Sequence, residues 1–189
     1  MANIITNKQL VTFCKKFLGR EYWYGCWGNK ATEKLLAEKR KQYPKYYDQS
    51  AYKKGWTCDG QKVADCCGLL KAALFCNGDY DADAKYCAEQ DLSANGMFKK
   101  GSTKTGPIST LPEIPGVCVW KDGHMGVYIG DGQVIEERGH NYSCVQTILS
   151  QRPWTDWFMC KWIKYEAKRT INVTAIVDGV TFNGNIEEV

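Results

Sequence analysis

The chain changes character at residues 111–116, Leu-Pro-Glu-Ile-Pro-Gly, and this change constrains the fold more than any other feature. Before it, apolar residues recur at helical spacing. After it, short segments alternate or run apolar between glycine and polar turns. Helices followed by a meander of strands are typical of an α+β domain. The 189 residues, 44% hydrophobic and 24% charged, are enough for one globular domain with a real core.

Two helices have clear predicted ends. The first covers residues 6–18, with Thr6 as its cap and Gly19 as its stop. The second covers residues 65–76, an almost unbroken apolar run that ends at an Asn-Gly pair. A weaker helix is predicted at roughly 82–97. Strands are predicted at 117–120, 124–129, 134–137, 144–149 and 158–165.

The segments outside this core predict the domain organisation. A charged, tyrosine-rich stretch, helical before Pro44, lies within an insertion at about 30–63 that we expect to pack over one side of the domain. Near the end of the chain, apolar residues alternate on both sides of an Asp-Gly pair, which indicates a hairpin. We therefore predict a domain at 1–166 and a β-hairpin extension at 167–189.

Composition and charge exclude several functions. A net charge of +4 without a basic run argues against nucleic-acid binding. The start of the chain lacks the charged region followed by an apolar region that is typical of a signal peptide. No segment is apolar enough for a membrane anchor. We expect a monomer made in the cytoplasm. The ten cysteines are predicted to be mostly buried, reduced and structural, and without a C-x-x-C pair we expect no metal and no organic cofactor.

Cys66 is the candidate nucleophile. A thiol at the start of a helix meets unpaired N–H groups and the positive end of the helix dipole, which lower its pKa and stabilise an oxyanion. Asp65 is a natural cap, and Gly68 is predicted to let a substrate backbone come close. The alternative is a structural role, because small residues are common at buried helix starts.

His124 is the candidate base, at the start of two short strands joined by a glycine-containing turn. Such a base needs a third group to hold its tautomer, and the turn decides which glutamate supplies it. A two-residue turn at 131–132 pairs Gly126 with Glu137. A three-residue loop at 130–132 pairs Gly126 with Glu136, which then lies diagonal to His124. Both alternatives stay open, and His140, in a predicted turn, is expected at the surface.

Four segments resemble the NlpC family of cell-wall cysteine endopeptidases. Residues 65–69, Asp-Cys-Cys-Gly-Leu, are similar to the D-C-S-G-L nucleophile motif. Residues 123–130, Gly-His-Met-Gly-Val-Tyr-Ile-Gly, are similar to the G-H-V-G-I-Y-I-G strand. Residues 19–26 resemble the G-x-P-Y-x-Y-G-G segment, and residues 115–120 resemble the P-G-D-L-V-F strand. The segments have the family order and span most of residues 10–165.

The resemblance implies a papain-like core in which the helix bearing Cys66 packs on a small antiparallel sheet bearing His124. The third catalytic position falls on Glu136. Tyr22 matches a tyrosine of the family's peptide pocket, and Asp65 and Trp23 are predicted to bind substrate with it. The sequence departs from the pattern at Cys67, where the family has serine, and at Glu136, which gives a Cys-His-Glu set closer to the related CHAP amidases.

The expected function is hydrolysis of peptidoglycan. The resemblance implies a cysteine endopeptidase that cuts stem-peptide bonds such as γ-D-glutamyl-diaminopimelate or γ-D-glutamyl-lysine. The alternatives are an N-acetylmuramoyl-L-alanine amidase on the same scaffold, a non-catalytic wall-binding module, and a cysteine enzyme that acts outside the wall. The expected setting is a phage endolysin that reaches the bacterial cell wall through a holin.

Overall fold

A computed structural model describes residues 2–48, 54–166, 170–177 and 180–187. Within these ranges the helices are α1 (Asn7–Phe17), α2 (Glu33–Gln42), α3 (Gly68–Phe75) and α4 (Ala94–Lys100). The strands are β1 (Ile5–Thr6), β2 (Trp27–Lys30), β3 (Lys62–Ala64), β4 (Ser102–Pro107), β5 (Cys118–Lys121), β6 (His124–Gly130), β7 (Gln133–Glu137), β8 (Cys144–Ile148), β9 (Asp156–Cys160), β10 (Ile163–Lys164), β11 (Thr170–Val177) and β12 (Val180–Glu187).

The main sheet is antiparallel and has six strands in the order β4-β9-β5-β6-β7-β8. Helix α3 is buried along its whole length and shares one core cluster with α1 and the inner face of the sheet. Met125, Val127 and Ile135 supply that inner face. The predicted α+β class, with the nucleophile helix packed on a small antiparallel sheet, is confirmed.

The first helix forms as its sequence predicts. The Thr6 hydroxyl accepts a hydrogen bond from the Gln9 N–H, and the Gln9 side chain accepts one from the Thr6 N–H. This capping box satisfies two donors that the first turn leaves unpaired. Leu10, Phe13 and Phe17 are then buried along one face, as the helical spacing requires.

Three secondary-structure predictions need correction. The segment predicted as a helix at 82–97 contains a 3-10 turn at Ala88–Gln90, and its α-helix begins only at Ala94, where the Ser93 side chain caps α4 by accepting from the Gly96 N–H. The strand predicted at 158–165 is split by a turn into β9 and β10. Strand β4 was not predicted, because this edge strand is mostly exposed and has no alternating apolar pattern.

A helix before Pro44 and a pair of antiparallel strands near the end of the chain are observed, as predicted. Helix α2 lies before Pro44, and Leu36 and Tyr47 pack in a second buried cluster with Trp23. Strands β11 and β12 pair antiparallel from Thr170↔Glu187 to Val177↔Val180. The predicted turn at 178–179 lies outside the described residues, and the division into domain and extension stays a prediction.

All ten cysteines are free thiols, and seven of them are buried. In the part of the chain that the structure describes, no group of three or more histidine, cysteine, aspartate or glutamate side chains is arranged to hold a metal ion. No helix among the described residues has the length and apolar character needed to span a bilayer.

Candidate active site

Asp65 organises the start of the nucleophile helix. One carboxylate oxygen accepts hydrogen bonds from the N–H groups of Cys67, at 3.1 Å, and Gly68, at 2.6 Å. The other accepts from the Gly25 N–H at 2.9 Å. The helix predicted from residue 65 begins at Gly68, with Cys67 at its N-cap position, so Asp65 holds the turn that leads into α3 and is not itself the N-cap. Since its oxygens are occupied by the protein backbone, a contact between Asp65 and substrate stays a prediction.

Gly68 has a different role from the one predicted. A Cβ atom at this position would lie 1.9 Å from the carbonyl oxygen of Cys26. The backbone that comes close to Gly68 is therefore that of Cys26 in the protein itself. The Asp65 N–H donates a hydrogen bond to the same Cys26 carbonyl oxygen. The prediction that Gly68 admits a substrate backbone is wrong, because that space is already filled.

The Cys66 thiol lies beside the backbone on both sides of His124. Its Sγ is 3.9 Å from the carbonyl oxygen of Gly123, and the N–H groups of Cys67 and Met125 lie near the sulfur. The neighbouring Cys67 points elsewhere and donates to the Leu92 carbonyl at 2.8 Å. Of the two adjacent thiols, Cys66 is therefore the one that faces the strand bearing His124.

The charge state of Cys66 differs from the sequence expectation. Burial raises the pKa of this thiol to about 12, and the Asp65 carboxylate adds to the rise. The N–H groups of Cys67 and Met125 act in the expected direction and favour the thiolate, but burial outweighs them. The resting thiol is therefore protonated and needs a base to remove its proton.

The β6–β7 turn combines the two predicted alternatives. Gly130 pairs with Gln133 across a two-residue turn in which Asp131 and Gly132 have φ values of 51° and 67°. A bulge at Ile129 then shifts the register, so that Tyr128 pairs with Val134 and Val127 with Ile135. The shifted register places Gly126 opposite Glu136, the pairing predicted for the longer loop.

His124 and Glu136 meet on the outer face of the sheet. The His124 Nε2 and Glu136 Oε2 atoms are 2.7 Å apart. Gly126 makes room for this contact, because a Cβ atom there would lie 3.2 Å from the Glu136 Cβ and closer still to Val134. A carboxylate can only accept, so Nε2 carries the proton and Nδ1 of the neutral ring is the basic nitrogen. No hydrogen bond joins the described Cys66 thiol directly to the His124 ring.

Three further residues complete the surroundings of this pair. Arg152 donates from Nε to Glu136 Oε1 at 2.7 Å and from Nη2 to Oε2 at 2.9 Å. Thr147 Oγ1 donates to Oε1 at 2.8 Å. The Trp154 ring stacks on the His124 ring with centroids 5.3 Å apart and planes inclined by 8°. These contacts fix the carboxylate and the imidazole in position.

The Glu136 carboxylate is charged despite having no exposed surface. Burial alone raises its pKa, but hydrogen bonds from His124, Arg152 and Thr147 lower it to about 2. Glu137, on the opposite face, is equally buried, and neither of its carboxylate oxygens has a hydrogen-bond partner. Burial and the nearby Asp65 charge raise the pKa of Glu137 well above its usual range.

Tyr22 lies near the nucleophile. It forms an isolated bridge with Ala64, which precedes the nucleophile motif directly. Burial is the main reason why the pKa of its phenol is raised, and the charges of Cys66, Asp65 and Glu137 raise it further. The hydroxyl therefore lies within electrostatic reach of the thiol. A pocket role for Tyr22 is compatible with this position and stays a prediction.

Two sequence predictions near Tyr22 are contradicted. Trp23 has no exposed surface and donates from Nε1 to Glu21 at 3.0 Å, so it cannot stack on a substrate. His140 is buried, not at the surface. Its ring nitrogens lie 3.2 Å from the Tyr22 carbonyl and 3.1 Å from the Lys54 carbonyl, and its ring stacks on Trp56. These contacts hold the end of the insertion against the Tyr22 segment.

Comparisons with known proteins give similarities at low sequence identity. The NlpC/p60 domain of the peptidoglycan hydrolase SagA is 12% identical, with 82% of this chain and 99% of that chain covered and a TM-score of 0.45. The peptidoglycan hydrolase RipB of Mycobacterium tuberculosis is 15% identical, with 84% and 67% covered and a TM-score of 0.43. NlpC1 of Trichomonas vaginalis is 16% identical, with 81% and 45% covered and a TM-score of 0.46. No protein-family model and no curated protein matches the chain.

Sequence reasoning missed Arg152, Thr147 and Trp154. Nothing in the spacing of these residues marks them as parts of a site. Arg152 is 16 positions from Glu136, and its contact depends on how the chain returns after β8. An arginine near a strand end is common on protein surfaces, so a single sequence carried no signal for it.

Proposed function

We propose that the chain is a cysteine hydrolase that cleaves amide bonds in the stem peptides of bacterial peptidoglycan. The observation that carries the chemistry is the arrangement of Cys66 beside the start of β6, where His124 is held by Glu136. The observation that points to peptidoglycan is the motif resemblance of residues 65–69 and 123–130. The finer proposal is an endopeptidase that cuts γ-D-glutamyl-diaminopimelate or γ-D-glutamyl-lysine bonds.

The mechanism follows from the protonation states. Nδ1 of His124 takes the Cys66 proton as substrate binds, and the thiolate attacks the carbonyl carbon of the scissile amide. The protonated ring then gives its proton to the leaving amine, and the C–N bond breaks to leave a thioester. The same Nδ1 activates a water molecule, which hydrolyses the thioester and restores the thiol. Glu136 keeps the ring in the required tautomer throughout.

Digestion of purified sacculi tests this proposal. Wild-type protein is compared with Cys66→Ala and with Cys58→Ala, a matched variant of another partly exposed thiol. Mass spectrometry is expected to detect stem fragments with a new diaminopimelate or lysine amine from wild type and Cys58→Ala, and none from Cys66→Ala. Activity that survives in Cys66→Ala would refute the nucleophile assignment.

The same experiment separates the alternatives. Fragments with a free L-alanine amine would make the protein an N-acetylmuramoyl-L-alanine amidase. Binding to sacculi without any cleavage, across several wall types, would favour the wall-binding module. A phage endolysin released through a holin stays a prediction, and lysis of chloroform-permeabilised cells by protein expressed inside them is its expected sign.

A further inference from the structure

Arg152 holds the Glu136 carboxylate through a two-point contact. It follows a 3-10 turn (Leu149–Gln151) after β8, and two of its guanidinium nitrogens reach the two carboxylate oxygens. This two-point contact is the geometry in which arginine binds a carboxylate most strongly. Glu136 thus contacts Arg152, which is always charged, and His124, which can gain or lose a proton.

A buried carboxylate next to an imidazole has two opposed effects. It holds the ring in one orientation, and its negative charge also favours the protonated ring. A ring that stays protonated cannot accept the proton of Cys66, whose raised pKa makes removal of that proton demanding. An arginine beside the carboxylate keeps its own charge at all relevant pH values. It therefore cancels the preference for the protonated ring, and the carboxylate still orients the ring.

We propose that Arg152 is a positioning residue that offsets the charge of Glu136, so that the carboxylate orients the His124 ring while its negative charge is balanced by the guanidinium. The catalytic meaning of this inference rests on the proposed function. The guanidinium also lies 6.0 Å from the centre of the Trp154 ring, which stacks on His124. One arginine therefore supports both groups that fix the imidazole.

Other titratable groups lie near this set on the neighbouring elements. Within the described part of the chain they are Cys66 in the turn before α3, Lys121 opposite His124 on β5, Cys144 on β8, and Tyr142 in the turn before β8, over whose ring the Arg138 guanidinium lies. Burial raises the pKa of Cys144, which keeps that thiol neutral. Among these cations, Arg152 is the one whose guanidinium donates hydrogen bonds to both oxygens of the Glu136 carboxylate.

Histidine NMR tests the proposal without a substrate. The chain has two histidines, and His124→Gln assigns the signal of His124. Arg152→Met is expected to raise the midpoint of the His124 ring titration by at least about one pH unit. Arg152→Lys keeps the charge and is expected to stay within about half a pH unit of wild type. The acid limb of kcat/KM is expected to move with the ring in both variants. A folded Arg152→Met protein with an unchanged midpoint overturns the proposal.

A double variant covers the case in which Arg152→Met does not fold. Glu136→Gln with Arg152→Met removes both charges, so no unpaired charge stays buried. If Arg152 offsets Glu136, the ring midpoint stays within about half a pH unit of wild type. A fall of about one pH unit or more means that Glu136 acts without an offset, and this refutes the proposal. A shift in Arg152→Met by NMR without any cleavage of sacculi by wild type would sustain the charge offset and reject the proposed function.

Discussion

Glu136 and Glu137 follow each other on β7 but lie in opposite environments. Glu136 faces outward and has hydrogen bonds to His124, Thr147 and Arg152, whereas Glu137 faces the core and has no hydrogen-bond partner. Both are fully buried, yet the pKa of Glu136 falls to about 2 and that of Glu137 rises well above its usual range. The partners, and not the degree of burial, set the direction of each shift.

The register between β6 and β7 determines which of the two glutamates faces His124. Successive side chains on a strand point to opposite faces, so a change of one residue in register exchanges the two glutamates. The bulge at Ile129 selects the register in which Glu136 shares a face with His124. The site therefore depends on one extra residue in β6, three positions from Gly126.

The sharpest test of the comparison is the activity of matched glutamine variants. Glu136→Gln is expected to lower kcat/KM about 10²- to 10⁴-fold, because an amide does not hold the Nε2–H tautomer as a carboxylate does. Glu137→Gln is expected to change kcat/KM by less than about threefold, because neither Glu137 oxygen makes a hydrogen bond to a catalytic residue. Both are measured with a synthetic stem peptide. Equal losses in the two variants would show that the faces are not functionally distinct.

Removal of Arg152 is expected to give the next largest effect, on stability. Arg152→Met leaves the buried Glu136 charge without its main partner, and the free energy of unfolding should fall by about 3–5 kcal/mol. Urea denaturation at pH 7 measures this change. Arg138→Met is the control, since that exposed guanidinium lies over the Tyr142 ring and its loss should cost less than about 1 kcal/mol. A similar cost in both variants would contradict the buried ion pair.

The pH dependence of stability distinguishes the two glutamates by sign. Glu136 has a folded pKa of about 2 against an ordinary value of 4.5, so its contribution is present above pH 4.5 and is lost as pH falls toward 2. This loss corresponds to about 3 kcal/mol. Urea denaturation from pH 7 to pH 2 should show the gap between wild type and Glu136→Gln closing over this range. A gap that does not change with pH would mean that the carboxylate is not held charged.

Glu137 is expected to give the smallest effect and the opposite sign. Its raised pKa stabilises the fold below pH 4.5, and this contribution is lost as pH rises through the folded pKa. Glu137→Met removes a buried polar group without partners and should raise the free energy of unfolding at pH 7 by about 1–3 kcal/mol. The gain should shrink below pH 4.5. A loss of stability at pH 7 would show that Glu137 has a favourable partner in solution.

Much of the fold was predictable because its signals are local. The capping residue Thr6, the apolar run of α3 and the alternation in β5 to β8 each lie within a short window of sequence. Strand β4 and the start of α4 were not predicted, since an exposed edge strand and a seven-residue helix have weak periodic patterns. The buried position of His140 was missed because its partners are more than 80 residues away.

The sequence by itself determined the α+β class, the apolar helix that follows Cys66, and the strand that carries His124, because spacing and residue type are enough to predict these features. Only the tertiary structure decided between Glu136 and Glu137, turned Trp23 into a core residue, and brought Arg152 to the carboxylate. Each of these depends on contacts between distant segments or on a one-residue bulge. A shift of one residue leaves the local hydrophobic pattern nearly unchanged but reverses which face a side chain occupies.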